Sequence, residues 1–325
     1  MAGHLTYRDY QEEDIPTLLR FWNEETNWGT LTLDQWRQMF LETPDGEASI
    51  ALATNADTGQ ILGQFIFIPC RVSVNGQEVS AFRPFAPIMT KGVRGFLGGA
   101  HPIIEMYWQG VRAVQARGGG LIYMVPDPRW LRFFRMFPFL TCGSFPLWSL
   151  KLPLSAPLPL DDGYTMASLT VWWDERVEKL WEQASRLHGC QVVRNSQTLQ
   201  WKLSRDDYTI TSVERHGEMV GLVASQQRGD RQWLICDLLA ADMGDSLRAT
   251  LIAVVNVAHA EALIPERKKP IIKVAVLVTP VMEPVVSSLG FLRDAYDFPM
   301  VVHVLDSTLS KEDVNPPRWY VSGND

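Results

Sequence analysis

Residues 49–100 read SIALATNADTGQILGQFIFIPCRVSVNGQEVSAFRPFAPIMTKGVRGFLGGA. Two β-rich runs flank Thr58-Gly59 and two more flank Asn75-Gly76, so the segment predicts successive antiparallel hairpins. Asn-Gly is the stronger turn signal, because both residues tolerate positive φ. At Thr90 the pattern changes to TKGVRGFLGGA, with glycines at 92, 95, 98 and 99 and with Lys91 and Arg94 among them. A helix then runs from Pro102 to about Ala116 and stops at the glycine run 118–120, which suits a helix C-cap.

Upstream, residues 4–10 read as a strand. Gln11 to Glu25 form an amphipathic helix, with Ile15, Leu18, Leu19 and Trp22 at helical spacing and Pro16 in the first turn. A second helix covers Leu33–Leu41 and ends before Thr43-Pro44-Asp45-Gly46. Downstream, LIYMV (121–125) is a short apolar strand, and Asp127-Pro128 opens a helix that stops at Pro138. SFPLWSLKLPL (144–154) continues as extended chain, and SAPLPLDDG (155–163) is the linker candidate.

Beyond it the order of elements repeats. MASLTV (166–171) is a strand, WDERVEKLWEQASRLHG (173–189) a helix, YTITSVERHGEMVGLVASQQ (208–227) a hairpin and RQWLICDLLA (231–240) a strand. A long helix follows at 246–263, then the strand KVAVLV (273–278) and the short helix in MEPVVSSLGF (282–291). Gly59-Gln60-Ile61-Leu62-Gly63 matches Gly217-Glu218-Met219-Val220-Gly221 at an offset of 158 residues, and Phe137-Pro138-Phe139 matches Leu289-Gly290-Phe291 at 152. The repeated order points to duplication.

Composition narrows the function classes. With 325 residues the chain is long enough for two domains, and 46% hydrophobic against 21% charged residues excludes a disordered protein. Thirty-seven acidic against thirty basic side chains, a net charge of −7, argue against nucleic acid as the main partner. Twelve Trp and fourteen Phe require broad cores or a wide apolar binding site. Cys70, Cys142, Cys190 and Cys236 form no CxxC pair, so no metal site or redox motif is expected, and reduced thiols in a cytoplasmic protein fit the spacing. MAGHLTYRDYQEEDIP has no apolar signal core, and no apolar run is long enough to span a membrane.

Strand, helix pair, antiparallel hairpins, glycine-bearing loop, helix, strand, helix, strand: this ordered set resembles the GNAT superfamily of acyl-CoA-dependent N-acyltransferases, twice over. Tyr7-Arg8-Asp9-Tyr10 with Asp14 is similar to the family's opening strand and first helix. Arg194-Asn195 with Leu199 and Trp201 resembles a segment of tandem members, and SLGF (288–291) resembles the end of the late helix. The resemblance implies an α/β (α+β) fold of two GNAT-like acyltransferase domains, each a mixed, mostly antiparallel splayed sheet flanked by helices. Residues 1–154 would be the acyl-donor-binding domain, 155–165 a linker and 166–325 a degenerate second copy.

In that fold two neighbouring strands splay apart, and a pantetheine arm hydrogen-bonds between them like an added strand. The pyrophosphate then meets backbone N–H groups at the next helix's N-terminus. The resemblance carries donor binding to Ile88, Met89, Lys91, Gly92, Arg94, Gly95, Gly98, Gly99 and Ala100. The family loop reads Q/R-x-x-G-x-G/A, whereas Leu97 stands where the first glycine belongs. In the second half CDLLAADMGDSLRA (236–249) puts Asp242 and Asp245 where phosphates need donors, so that copy is expected to bind none.

The family's usual general acid, a tyrosine in N-x-x-A-x-x-x-Y, is replaced by Phe134, and a phenyl ring donates no proton. Candidates for proton transfer and amine positioning are His101 (a base or a helix cap), Glu105, Tyr123 and Asp127 (an amine anchor or a turn residue). Glu24, Glu25, Asn27 and Trp28 fall where the family builds its acceptor wall, and two carboxylates there would draw a lysine- or ornithine-type side chain of a peptide or specialised metabolite. In RWLRFFRMFPFLTCGSFPLW (129–148), Arg129, Arg132 and Arg135 suit CoA phosphates or an acidic acyl carrier protein. Trp130, Phe133, Phe134 and Phe137 either line a slot for a medium or long acyl chain or fill the core. The expected function is transfer of an acyl group from acyl-CoA or acyl carrier protein to an amine, with no metal. Two other readings are an aminoacyl transferase using charged tRNA, which the acidic balance opposes, and a non-catalytic acyl- or partner-binding module.

Overall fold

The computed structural model describes residues 4–26, 28–90, 101–131, 137, 140–204, 207–229, 231–265 and 269–325. The first half opens with β1 (Leu5–Asp9), followed by α1 (Ile15–Glu25) and α2 (Leu33–Phe40). α1 buries Leu18 and Trp22 from one stripe, as its spacing predicts. α2 starts at a capping box: the Gln35 backbone N–H donates to the Thr32 side chain, and the Gln35 side chain accepts from the Thr32 N–H.

The two expected hairpins are β2 (Ser49–Asn55), β3 (Ile61–Val74) and β4 (Gln77–Met89), all antiparallel. Asn75 and Gly76 take φ of 51° and 81°, the conformations that an Asn-Gly turn supplies. α3 (Pro102–Ala116) lies across β1, β2 and β3 and leads into β5 (Leu121–Met124), parallel to β4. After Asp127 the described chain makes one turn of 3-10 helix over Pro128–Trp130 before β6 (Leu140–Lys151).

The second half repeats this plan. β7 (Tyr164–Leu169), α4 (Glu175–Ala184), β8 (Cys190–Val192) and α5 (Ser196–Leu203) precede the antiparallel run β9 (Thr209–Arg215), β10 (Glu218–Arg228) and β11 (Gln232–Ala240). α6 (Asp245–Ala262) covers their face, and β12 (Lys273–Leu277) returns parallel to β11. α7 (Glu283–Ser288), β13 (Leu292–Val304) and β14 (Trp319–Tyr320) complete the chain. Gly63 and Gly221 occupy equivalent places in the two hairpins: each sits at a register shift, facing Ala53 and Val213 respectively. A Cβ on Gly221 would stand 1.9 Å from Thr250 Oγ1, so glycine is what lets α6 approach this closely.

The two sheets run into one another. The strand order is β1-β2-β3-β4-β5-β13-β6-β12-β11-β10-β9-β7, so β13 pairs with β5 of the first half, and β6 of the first half lies between β13 and β12. Strand periodicity fixes which face a side chain takes but not which strand lies alongside, so this exchange is absent from the sequence pattern. The connection at 155–163 is pinned rather than loose: Leu158 N–H donates to Asn256 Oδ1 at 2.8 Å, and Asn256 Nδ2 donates back to the Leu158 carbonyl at 2.9 Å. Cys70, Cys190 and Cys236 carry no disulfide, and no helix among the described residues is long and apolar enough to cross a membrane.

Candidate functional site

β4 carries two prolines, Pro84 and Pro87, in the stretch AFRPFAPIM (81–89). Each removes a ladder donor, and Ala86 between them takes a φ of 51° beside a register shift against β3. The strand consequently parts from β5. They pair only at Ala81–Leu121 and Phe82–Ile122, and from Arg83 onward β4 has no β5 partner.

The opening leads into an apolar cavity of about 390 Å³. Ile103, Ile104 and Tyr107 of α3 form one wall, and Met124 to Asp127 with Trp130 and Phe137 form the other. A second cavity of about 620 Å³ lies on the far side of β4, between the two halves. Trp22 and Gln38 line it from the first half, and Lys202, Tyr208, Arg228 and Phe298 from the second. The cavities share Trp28, Arg83, Phe85, Val125 and Asp325, so they meet at the point where β4 leaves β5.

Arg83 stands at that meeting point. Its Nη1 donates to the main-chain oxygens of Asn324 at 2.8 Å and Asp325 at 3.0 Å, and its guanidinium lies 5.6 Å from the Phe85 ring centre. Among the described residues no side-chain carboxylate forms an ion pair with it. Behind it lies a buried quartet of charges. Arg194 Nε donates to Asp237 Oδ1 at 2.7 Å and Arg194 Nη2 to Asp325. Lys202 Nζ is 2.8 Å from Asp237 Oδ2 and 2.7 Å from Asp325 Oδ1. Burial acts to raise the Asp325 pKa, but Arg194 and Lys202 outweigh it and hold the carboxyl well below the usual range. The quartet is neutral as a unit, so it fixes residues 322–325 without adding net charge to the cavity.

Tyr107 lines the smaller cavity, and its hydroxyl lies 2.9 Å from Nδ1 of buried His303. Burial raises the Tyr107 pKa far above its ordinary value. The same burial, with a further contribution from Lys311, lowers His303 to about 4.

Of the residues expected from the sequence, Trp28, Asp127, Trp130 and Phe137 line this site. Trp28 is 60% exposed and borders both cavities. Asp127 borders the smaller one; it caps the 128–130 turn through the Arg129 N–H and is ion-paired with exposed Arg129 at 2.8 Å. His101 caps α3, its Nδ1 accepting from the Ile103 N–H. Glu105 sits in the first turn of α3 on the side of Tyr7, whose pKa is raised by burial first and by Glu105 second. Tyr123 is buried between the halves, 5.2 Å from the Trp319 ring and outside both larger cavities. Ile88 and Met89 are buried on β4 against β3, opposite Gln64 and Gly63. Glu24 and Glu25 end α1 and line neither cavity. Asn27, Lys91, Gly92, Arg94, Gly95, Gly98, Gly99, Ala100, Arg132, Phe133, Phe134 and Arg135 lie outside the described residues.

Sequence reasoning missed Arg83, Tyr107 and the Arg194–Lys202–Asp237–Asp325 quartet. Arg83 left a signal: it is the single charged residue in AFRPFAPIM, an isolated cation in an apolar strand. The second half has its own opening, where β11 leaves β12 after Leu234. The chain's own residues occupy it. Tyr320 Oη donates to the Leu238 carbonyl at 2.7 Å, and a Cβ on Gly323 would stand 3.2 Å from the Ile235 carbonyl oxygen. Among the described residues no cluster of His, Cys, Asp or Glu could hold a metal ion.

No family model matches the chain, and no curated protein matches it in sequence. Solved structures do match. A probable N-acyltransferase from Enterococcus faecalis aligns at a TM-score of 0.68 with 12% identity, over 94% of this chain and 73% of that one. A GCN5-related N-acetyltransferase from Anabaena variabilis aligns at 0.68 with 13% identity, over 93% and 73%. The N-myristoyltransferase of Saccharomyces cerevisiae, solved with bound myristoyl-CoA, aligns at 0.56 with 10% identity, over 94% and 80%. The chain has a GNAT-superfamily fold.

Proposed function

We propose that this chain, with its GNAT-superfamily fold, is an N-acyltransferase that moves an acyl group from a thioester donor, acyl-CoA or an acyl carrier protein, to an amine. One observation carries the reading: β4 parts from β5 at Arg83, and the gap joins an apolar cavity to a larger, partly polar one. An extended pantetheine arm fits between splayed strands whose backbone groups lack partners. Its acyl group would lie against Ile104, Met124 and Trp130, where each buried methylene contributes ~0.8 kcal/mol. That lining favours a chain longer than acetyl, and a fold neighbour that binds myristoyl-CoA is consistent with it. The amine would enter from the larger cavity.

We read residues 1–154 as the donor-binding domain and 166–325 as a copy that binds no donor, because residues 319–325 fill its opening. Glu24 and Glu25, which motivated a lysine- or ornithine-type acceptor, stand outside both cavities, so that acceptor class has no support in their lining. In the reaction the neutral amine nitrogen attacks the thioester carbonyl carbon. A C–N bond forms, the C–S bond breaks, and the proton lost by the amine passes through solvent in the open larger cavity to the departing thiolate. Holding the two reactants together contributes on the order of 7–11 kcal/mol, without any side chain as acid.

The test is donor binding. Thermal shift and native mass spectrometry with acetyl-, decanoyl- and palmitoyl-CoA should give adducts and stabilisation that are larger for decanoyl- than for acetyl-CoA. Ile104→Trp, which fills the smaller cavity, should move the preference toward shorter chains. Absence of binding by every thioester, carrier-bound ones included, would overturn the reading.

A further inference from the structure

The chain carries a net charge of −7, yet three cations, Arg83, Lys202 and Arg228, border the larger cavity against one acid, Asp325. Lys202 and Asp325 cancel within the buried quartet, and Arg228 rests beside the Tyr208 hydroxyl at 3.4 Å. Arg83 is different. Two main-chain oxygens hold its Nη1, while Nε and Nη2, which share the other planar edge of the guanidinium, donate to no described residue where the cavities meet. A guanidinium edge matches a carboxylate in geometry and charge, and a charge-assisted bidentate pair is the strongest recognition such a site can offer.

We propose that the acceptor is an α-amino acid with a large apolar side chain, and that Arg83 recognises its carboxylate; this rests on the acyl-transfer reading above. An α-amine is separated from its carboxylate carbon by a single carbon atom. A carboxylate seated on Arg83 therefore holds the amine at the junction of the two cavities, next to the donor's thioester. An amine at the end of a long side chain would be carried away from that point. The side chain has a matching surface: Trp22, Trp28 and Phe85 form an aromatic wall of the larger cavity with ring centres 5.5 to 6.3 Å apart, and Trp28 is largely exposed. The quartet contributes by holding Asn324 and Asp325, whose main-chain oxygens aim Arg83.

The experiment compares L-phenylalanine, phenethylamine and Nα-acetyl-lysine methyl ester as acceptors of the best acyl-CoA, in the natural sequence and in Arg83→Met and Arg83→Lys. Calorimetry with N-acetyl-L-phenylalanine and N-acetylphenethylamine runs alongside. Loss of a charge-assisted pair is worth about ten- to hundredfold, so kcat/KM should favour phenylalanine over phenethylamine by about that factor. Arg83→Met should bring the ratio toward one, with Arg83→Lys between. Equal use of phenylalanine and phenethylamine, preference for the lysine ester, or an equal loss on both amines in Arg83→Met would overturn the proposal. Calorimetry separates it from the underlying reading. Carboxylate-selective binding without any transfer refutes acyl transfer alone, whereas donor binding without carboxylate selectivity refutes the role of Arg83 alone. Melting of each variant checks that the fold persists.

Discussion

Tyr107 and His303 are a buried polar pair, and the histidine has a measurable consequence. Burial, assisted by Lys311, puts its pKa at about 4 in the folded protein, against roughly 6.5 in an unfolded chain. Between those values the unfolded state holds the proton and the folded state does not, so stability falls as pH drops from about 6.5 to about 4 and levels off below. His188 acts in the same direction: burial first, then Arg194, lowers it to about 4. The expected outcome is a Tm that declines across that window, with a shallower decline in His303→Gln, where His188 continues to contribute. Parallel Tm–pH curves for the two proteins would show that His303 is not responsible. At this scale the sequence was hard to read, because a buried histidine and an exposed one look alike until their neighbours are known. Arg83 was readable as a cation among apolar strand residues. Its role was not, since the partners that aim it, Asn324 and Asp325, lie more than two hundred residues away.

At the scale of elements, local pattern and tertiary structure agree where the signal is a turn or a period. Asn75-Gly76 makes its hairpin, the apolar stripe of α1 is buried, and α3 begins and ends where Pro102 and the glycine run predict. The opening between β4 and β5 was expected by resemblance, and its physical cause can now be named as two prolines and a bulge at Ala86. Helix-on-sheet distance was also encoded, in Gly221. Gly221→Val would drive a side chain into Thr250 of α6, and overpacking of this kind costs about 1–3 kcal/mol. Urea denaturation should register that loss, and Thr250→Ala in the same protein should recover part of it, since the two residues touch. Additive losses would mean that α6 does not bear on Gly221. The partners of β6 and β13 were not legible, because alternation along a strand carries no record of its neighbour.

At the scale of the whole molecule, the exchanged strands make the halves interdependent. β6 takes both its neighbours, β12 and β13, from the second half, and β5 has β13 along one edge. A fragment of residues 1–154 would expose the edges of β5 and β6 together with the wall of the larger cavity. That fragment should be insoluble or unfolded alone and should regain solubility when coexpressed with 155–325. Calorimetry of the full chain should give one cooperative transition. A fragment that melts cooperatively by itself would refute this interdependence.

The same strand order sets a timetable for synthesis. β5 and β6 leave the ribosome long before β13, and before Asp325, which borders both cavities. Until β13 arrives, the growing chain carries a sheet with open, largely apolar edges, a state prone to wrong pairing with other chains. Because Asp325 borders both cavities, their junction is completed only by late-made residues, and an unfinished chain does not yet hold it.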